Sequence, residues 1–445
     1  MVNSLKEYLN LAERKNWILS VKEKVHREDI PAFIEKLSWE GKILLFGNVK
    51  DYPCRLVANL VPSHDIFKEI FETDNPYEFF IKGVQRRKQT VHVSYPELNH
   101  IGMSDKKLID VIPILRHYEK DSAPFITTGI VSSVDPDSGI VGRGIHRMEY
   151  RSRNLLGVAL LNPPLTTIYQ KYRLRGQRMP VAITIGVDPV LFISMALKVS
   201  PGTDKLEVAG GLRGNGIDVM TAPQSGIEVP AAGELLLEGY VDHTKSKKDG
   251  PLGEISGYYL SLESTPTIVV EHMYHRDTPL YHALLPTSPE ADRYLTFVSR
   301  AHLEESTKRL FPFIVHISFT PKTFGSSLVV NVKTTEKFKI RNLILFLLSF
   351  PMIKKVIVVD DDVNTDDPYD VEWAVVTRCK ADEDFIIIKN LHGQPIDPTV
   401  EDVYGVTKIG INASVQGKKI EERARVVSGD AKRIKAVISK IDGRC

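Results

Sequence analysis

Hydrophobic and polar positions along the chain follow two rhythms. At the start Leu5, Tyr8, Leu9 and Leu11 fall roughly on one helical face behind Ser4, a residue suited to an N-cap. "DIPAFIEKL" repeats the helical period, with proline at a first-turn position. "KILLFGNV" and "CRLVANLV" are short apolar runs that predict buried strands, so an α/β unit opens the chain. From about residue 124 the rhythm changes. "PFITTGIVSSVDPDSGIVG", "LLGVALL", "MPVAITIGVD", "ELLLEGYV", "GYYLSLES" and "TPTIVVEHMYHR" are strand-like runs separated by Gly, Pro and Asp. Helical signals are few between 124 and 280, which predicts a β-rich barrel or curled sheet. Helical spacing returns in "SPEADRYLTFVSRAHLEESTKRL", where Ser288, Pro289 and Glu290 are start signals. "FIVHISFTP", "SSLVVNVK", "KKVIVVDDDV" and "EWAVVTRC" then alternate as strands with helical stretches, and "KKIEERARVVSGDAKRIKAVISKI" reads as a polar, mostly helical tail. The expected organisation is multi-domain α/β: an N-terminal α/β domain over 1–115, a central β-barrel domain over 116–300, and a C-terminal α/β domain with a tail helix over 301–445.

Composition narrows the function classes. A chain of 445 residues is too long for one ordinary core. A formal net charge of +2 creates no global field toward nucleic acid or an anionic membrane. The longest apolar runs, such as "LILFLLSF", fall far short of the ~20 residues that span a bilayer. The first residues are charged and amphipathic, without the basic and apolar regions of a secretory signal. Cys54, Cys379 and Cys445 are scattered, with no C-x-x-C, so a reducing, cytoplasmic setting is expected.

Candidate chemistry concentrates in the middle of the chain. "DGPLGEISGYY" places Asp249 and Glu254 around a Gly-Pro-x-Gly turn, either as a solvated turn or as a proton-handling pair. "GGLRGNG" reads as a turn rather than a phosphate loop. His272 and His275 in "EHMYHR" point to opposite faces of a strand and cannot both ligate one metal. "DDDVNTDD" has EF-hand acid density without the required glycine and glutamate, and reads as a solvated loop. In "GRGIHRMEYRSR", Arg143, Arg147, Arg151 and Arg153 share strand parity, which fits equally a surface stripe or an anion-binding face.

Taken with their neighbours, these segments resemble the UbiD-type decarboxylases, enzymes that use prenylated flavin mononucleotide. "LKEYLNLAERKNWILSV" is similar to the family's opening helix and "GKILLFGNVKDYPCRLVANL" to its first strands. "PFITTGIVSSVDPDSGIVGRGIHRME", "PVAITIGVDP", "EVAGGLRG", "IEVPAAGELLLEGY", "DGPLGEISGYY", "VIVVDDDV" and "KIGINAS" follow in the family's order. The resemblance implies an N-terminal α/β domain, a flavin-binding split barrel like that of flavin reductases, and a C-terminal α/β assembly domain. It implies reversible non-oxidative decarboxylation of an α,β-unsaturated or aromatic carboxylic acid, in a homo-oligomer (dimer or hexamer) or a hetero-complex with a related subunit. Arg147, Asp249 and Glu254 take the places of the catalytic arginine and acids, with Glu254 as proton donor and Asp249 one methylene shorter than the usual glutamate. Ile145, Arg147, Met148, Glu149, Lys198 and Lys205 fall at or near cofactor-binding places.

The resemblance breaks at the family's divalent-metal site. Gly142, Leu165 and Lys205 stand where an Asn, a His and a Glu would ligate the ion, and none of the three is a ligand. The expectation is that the metal is absent. Two readings follow. Lys205, with Lys198, supplies the positive charge beside the flavin phosphate, or the chain has lost the flavin and serves as a non-catalytic or repurposed subunit. Glu149 and Asn412 also depart from the family, where a neutral glutamine and an aspartate are usual.

Overall fold

The structure is a computed structural model that describes residues 1–334, 336–401 and 404–415, with scattered residues beyond as far as 437. Most of the expected tail helix therefore lies outside the described residues. The first helix, Leu5–Arg14, forms as its spacing predicts: Ser4 accepts the Glu7 N–H at 3.1 Å, and Leu5, Tyr8, Leu9 and Ala12 are buried. Helix Ile30–Leu37 begins on its proline. The strands Ile18–Val25, Ile43–Val49 and Arg55–Ala58 make a sheet whose fourth member, Leu280–His282, returns from far along the chain. This return fastens the opening unit to the end of the central one.

The central sheet has nine strands, all paired antiparallel. Its path runs from Phe125–Ile126 through Met148–Ser152, Leu155–Val158, Tyr259–His275, Leu235–Gly253, Met179–Ile185 and Ile130–Val134 to Val141–Ile145. Only His146 and Arg147 connect the last of these strands to the second. A flat sheet would separate those two strands by roughly 29 Å at ~4.8 Å per strand, far beyond the ~10 Å that so short a link reaches. The sheet must therefore curl until its two ends meet, and Arg147 stands at the seam.

Three helices interrupt this β-rich region, where few were expected. Leu165–Leu174 follows the seam. Pro189–Met195 is buried at every residue, so it carries no amphipathic signal. Lys205–Arg213 contains most of "GGLRGNG", which is therefore a helix end rather than a free turn. A Cβ at Gly211 would meet the Gly83 carbonyl at 2.4 Å, and Gly214 ends the helix at φ +78°. Glycine here permits close packing on helix Pro76–Gln85.

Helix Pro289–Lys308, capped by Ser288, leads into a five-stranded sheet. Its order is Ile314–Phe319, Ser327–Val332, Lys355–Asp360, Gly405–Ala413 and Phe385–His392. "EWAVVTRC" is not a strand. It belongs to helix Pro368–Arg378, because Asp367 caps the helix and Val371, Ala374 and Arg378 recur on its buried face. "DDDVNTDD" is a loop after Asp360, with Asp361 and Asp366 exposed, but some of its acids are held: Asp360 and Asp362 pair with Arg378 at 3.0 and 2.6 Å, and Asp366 accepts from Ser318.

Candidate active site

The seam gathers charge from distant parts of the chain. The Arg147 guanidinium donates one nitrogen to Asp249 at 2.5 Å and the other to Glu254. Asp249 is fully buried, Arg147 nearly so, and Glu254 is 22% exposed at its side chain. Burial pushes both carboxyls above their ordinary range, with Glu149 adding to the rise at Asp249 and Asp249 adding to the rise at Glu254; the Arg147 charge opposes both. Arg147 Nε and Asp249 Oδ2 are buried without a hydrogen-bond partner among the described residues.

The acids do not sit together on one tight turn. Strand Leu235–Gly253 carries Asp249 in extended backbone, and the hairpin closes after it, with Glu254 N–H on the Tyr258 carbonyl at 2.9 Å. The register slips between Asp249 and Leu252. Gly250 takes φ +89° there, and a Cβ would meet the Leu260 carbonyl at 2.7 Å. This slip turns the strand so that Asp249 and Glu254 both reach Arg147.

A second layer of polar groups holds the strand end. Glu149 accepts from Ser122 Oγ at 2.5 Å and from the Gly250 N–H at 3.3 Å. Asp121 accepts the N–H groups of His117, Tyr118 and Gly253 at 3.0, 2.9 and 2.9 Å. The Tyr118 ring lies against Gly253, where a Cβ would approach it to 2.3 Å. Its hydroxyl accepts the Thr287 N–H at 2.9 Å.

The four arginines form neither a surface stripe nor one anion-binding face, because the seam breaks the strand between Ile145 and Met148. Arg143 is buried and grips Asp204 with two bonds, at 2.8 and 3.0 Å. Arg151 donates to Thr265 and Thr267 on the neighbouring strand. Arg153 is exposed in a turn at φ +44°. Arg147 alone joins the acids.

The other predicted residues scatter around the seam. Ile145 ends its strand half-buried, Met148 is buried in the core against Gly129, and Lys198 is exposed after the buried helix. Lys205 is buried and donates Nζ to the Met195 carbonyl at 2.7 Å, and burial pushes its ammonium down to about 8. Its charge, together with burial, keeps His146 below the usual imidazole range; that ring meets the Ala159 carbonyl through Nδ1 at 2.8 Å. A buried ammonium with one protein partner keeps two N–H donors for a phosphate. The three positions that the resemblance assigns to the metal offer no donor set: a Cβ on Gly142 would strike Ile168 and Pro164, Leu165 is core, and Lys205 is a cation. Among the described residues, no group of three or more His, Cys, Asp or Glu side chains converges as a metal would require. His272 instead faces His100 across the strand pair at 3.1 Å, and His275 meets the Arg276 carbonyl. No described helix is long and apolar enough to cross a membrane.

Two cavities lie near the acid pair without being lined by it. One of about 210 Å³ begins at Ile255, immediately after Glu254, and is walled by Leu285 and Thr287. It shares Trp39, Pro289 and Asp292 with a larger cavity of about 610 Å³ between the opening unit and helix Pro289–Lys308. Nothing in the sequence pattern marked Asp121, Tyr118 or the second cavity, since each depends on contacts between segments far apart in the chain.

Comparison with known proteins agrees with this architecture. Residues 90–289 match the 3-octaprenyl-4-hydroxybenzoate carboxy-lyase Rift-related domain, and residues 294–413 the C-terminal domain of the same carboxy-lyase. An anhydromevalonate phosphate decarboxylase of Methanosarcina mazei is 33% identical over 379 residues, covering 83% of this chain and 87% of that protein. A protein of the same name from Methanocaldococcus jannaschii is 30% identical over 400 residues, covering 87% and 93%. The UbiD-class enzyme HmfF from Pelotomaculum thermopropionicum, solved with FMN, superposes with a TM-score of 0.90 at 27% identity over 98% of this chain and 99% of that one. An evolved dimeric form of HmfF, solved with prFMN, gives 0.87 at 26% identity over 97% and 100%.

Proposed function

The chain belongs to the UbiD family of carboxy-lyases, and from that premise we propose that it decarboxylates a small α,β-unsaturated acid bearing a phosphate, with prenylated FMN bound at the seam. The observation that carries this reading is the single buried guanidinium shared by Asp249 and Glu254 beside a cavity. The curated relatives, at 30% identity or more, bear the name of a phosphorylated unsaturated acid, which favours that class over an aromatic one.

Loss of carbon dioxide leaves an electron pair that ordinary side chains cannot hold, and prenylated FMN supplies that sink when bound. The remaining work falls to this chain. Arg147 orients Glu254 and presents positive charge to the substrate carboxylate. Glu254, its proton retained by burial, donates that proton to the carbon from which carbon dioxide departs, then regains one from solvent. The balance is one proton taken up and one carbon dioxide released per turnover. Asp249 keeps Arg147 charged and aimed after Glu254 has given up its proton. Lys205, with Lys198 nearer solvent, would hold the flavin phosphate, and Ile145, Met148 and Glu149 stand on the strands at the seam where the flavin would bind. No step is assigned to a divalent ion, because the three family positions supply no ligands.

Exposed apolar side chains on the C-terminal unit, including Phe338 and Ile387, fit self-association through that unit. The test of the function is anaerobic purification after co-production with a prenyl-flavin-forming enzyme. Stoichiometric prenylated FMN and carbon dioxide release from a phosphorylated unsaturated acid support the reading. Flavin-loaded protein that releases none from such acids overturns it.

A further inference from the structure

The larger cavity holds a cation that the acid pair does not explain. Arg293, the fifth residue of helix Pro289–Lys308, donates Nη1 to the Val61 carbonyl at 2.9 Å. Its Nε and Nη2 have no partner among the described residues, and no described carboxylate lies within ion-pair distance of it. Most other charges on the cavity wall are matched, while Asp74 has no ion pair among the described residues. Lys68 pairs with Asp65 at 2.8 Å, Arg300 and Lys308 with Glu304 at 2.9 and 2.7 Å, and His316 with Asp366 at 3.8 Å. Asp292, beside Arg293, has its Oδ1 buried without a hydrogen-bond partner among the described residues, and burial pushes its carboxyl up to about 6.

His64 stands exposed on the wall of the same cavity, where the Arg293 and Arg300 charges disfavour its protonation and the Asp366 and Asp65 charges favour it. The neutral ring still carries one N–H that can donate. The smaller cavity begins at Ile255, one residue after Glu254, and shares Trp39, Pro289 and Asp292 as walls with the larger one.

We propose that the cavity around Arg293 is the subsite for a phosphate monoester at the end of the substrate remote from its carboxylate, with Arg293 as the main donor and His64 as a second. This rests on the decarboxylase reading above and adds to it the residues that select the substrate. A guanidinium with Nε and Nη2 free presents the paired donors that phosphate oxygens accept. A phosphate held there leaves the carboxylate end directed along the smaller cavity toward Arg147 and Glu254.

The test uses the full chain and butyl phosphate, which needs no decarboxylation to be bound. Calorimetric titration is expected to show binding to the wild type, weakened at least tenfold in Arg293→Gln and largely restored in Arg293→Lys. Butyl phosphate is also expected to raise the His64 pKa, followed by NMR in the wild type. Absent binding, equal binding by the wild type and Arg293→Gln, or an unmoved His64 overturns the subsite. The His64 titration decides the matter should Arg293→Gln fail to fold. Arg293-dependent binding without turnover of a phosphorylated unsaturated acid by the flavin-loaded enzyme would sink the reaction and leave the subsite standing. Turnover with equal kcat/KM in wild type and Arg293→Gln would do the reverse.

Discussion

Replacing Glu254 with glutamine separates the proton donor from its scaffold. The amide keeps the shape of the side chain and can still accept from Arg147, but it has no acidic proton. Arg147 also retains its 2.5 Å bond to the fully buried Asp249, so the guanidinium is not left without a counter-charge. The stability change is correspondingly small. With Glu254 protonated at rest, glutamine replaces one neutral acceptor of the Arg147 guanidinium by another, a change of about 1 kcal/mol or less. Catalysis suffers more, because a positioned general acid contributes about 10²–10⁴-fold. The expected result for Glu254→Gln is a kcat lower by at least about a hundredfold, with an unchanged visible flavin spectrum and a melting temperature within a few degrees of the wild type. The assay is anaerobic carbon dioxide release normalised to bound flavin, with deuterium incorporation from solvent read in the product. A variant that keeps its flavin and loses less than tenfold in kcat would refute the assignment of Glu254 as donor.

The pH dependence has a defined sign. Glu254 is raised above 4.5 by burial, so its donor form is present below that raised value and kcat falls as pH rises through it; a rate that climbs through the same limb contradicts the assignment. The raised carboxyls of Asp249 and Glu254 also contribute stability that is complete below their ordinary values and lost as pH rises through the folded ones, which denaturant midpoints across pH can follow. Lys205→Glu reverses a buried positive charge beside His146 and is expected to abolish flavin retention, measured as the flavin-to-protein ratio; unchanged retention removes Lys205 from the cofactor site. Gly250→Ala forces a Cβ onto the Leu260 carbonyl at φ +89° and is expected to cost about 1–3 kcal/mol in urea unfolding, with a fall in kcat as Asp249 is displaced.

Much of the fold is written locally. Ser4 and Ser288 each announce a helix because cap and apolar period coincide, and "KKVIVVDDD" reads as a buried strand because its apolar run is unbroken. The misread segments are those where tertiary packing overrides local preference. Pro189–Met195 is enclosed on all sides, so its helix has no polar face to set the period. Lys205–Arg213 uses glycines for close approach to Gly83, against their weak helix propensity. In "EWAVVTRC" the β-branched residues suggest a strand, but the cap at Asp367 and the buried spacing decide for a helix.

The site was legible in a different way. Arg147 meets Asp249 and Glu254 across 102 and 107 positions of sequence, so no local pattern could pair them; only the order of motifs shared with a family did. Resemblance named the three residues but not their support. It could not show that two residues carry the chain from one end of the sheet to the other, and that link is what frees Arg147 from the parity of Arg143 and Arg151. It could not show Asp121, which fixes Gly253 from 132 positions away, or Arg293, which meets Val61 across 232. Motif order tends to mark groups that serve chemistry common to a family. Residues that choose among substrates lie where the chain closes on itself, and here that closure places a guanidinium with free donors in the cavity beside helix Pro289–Lys308.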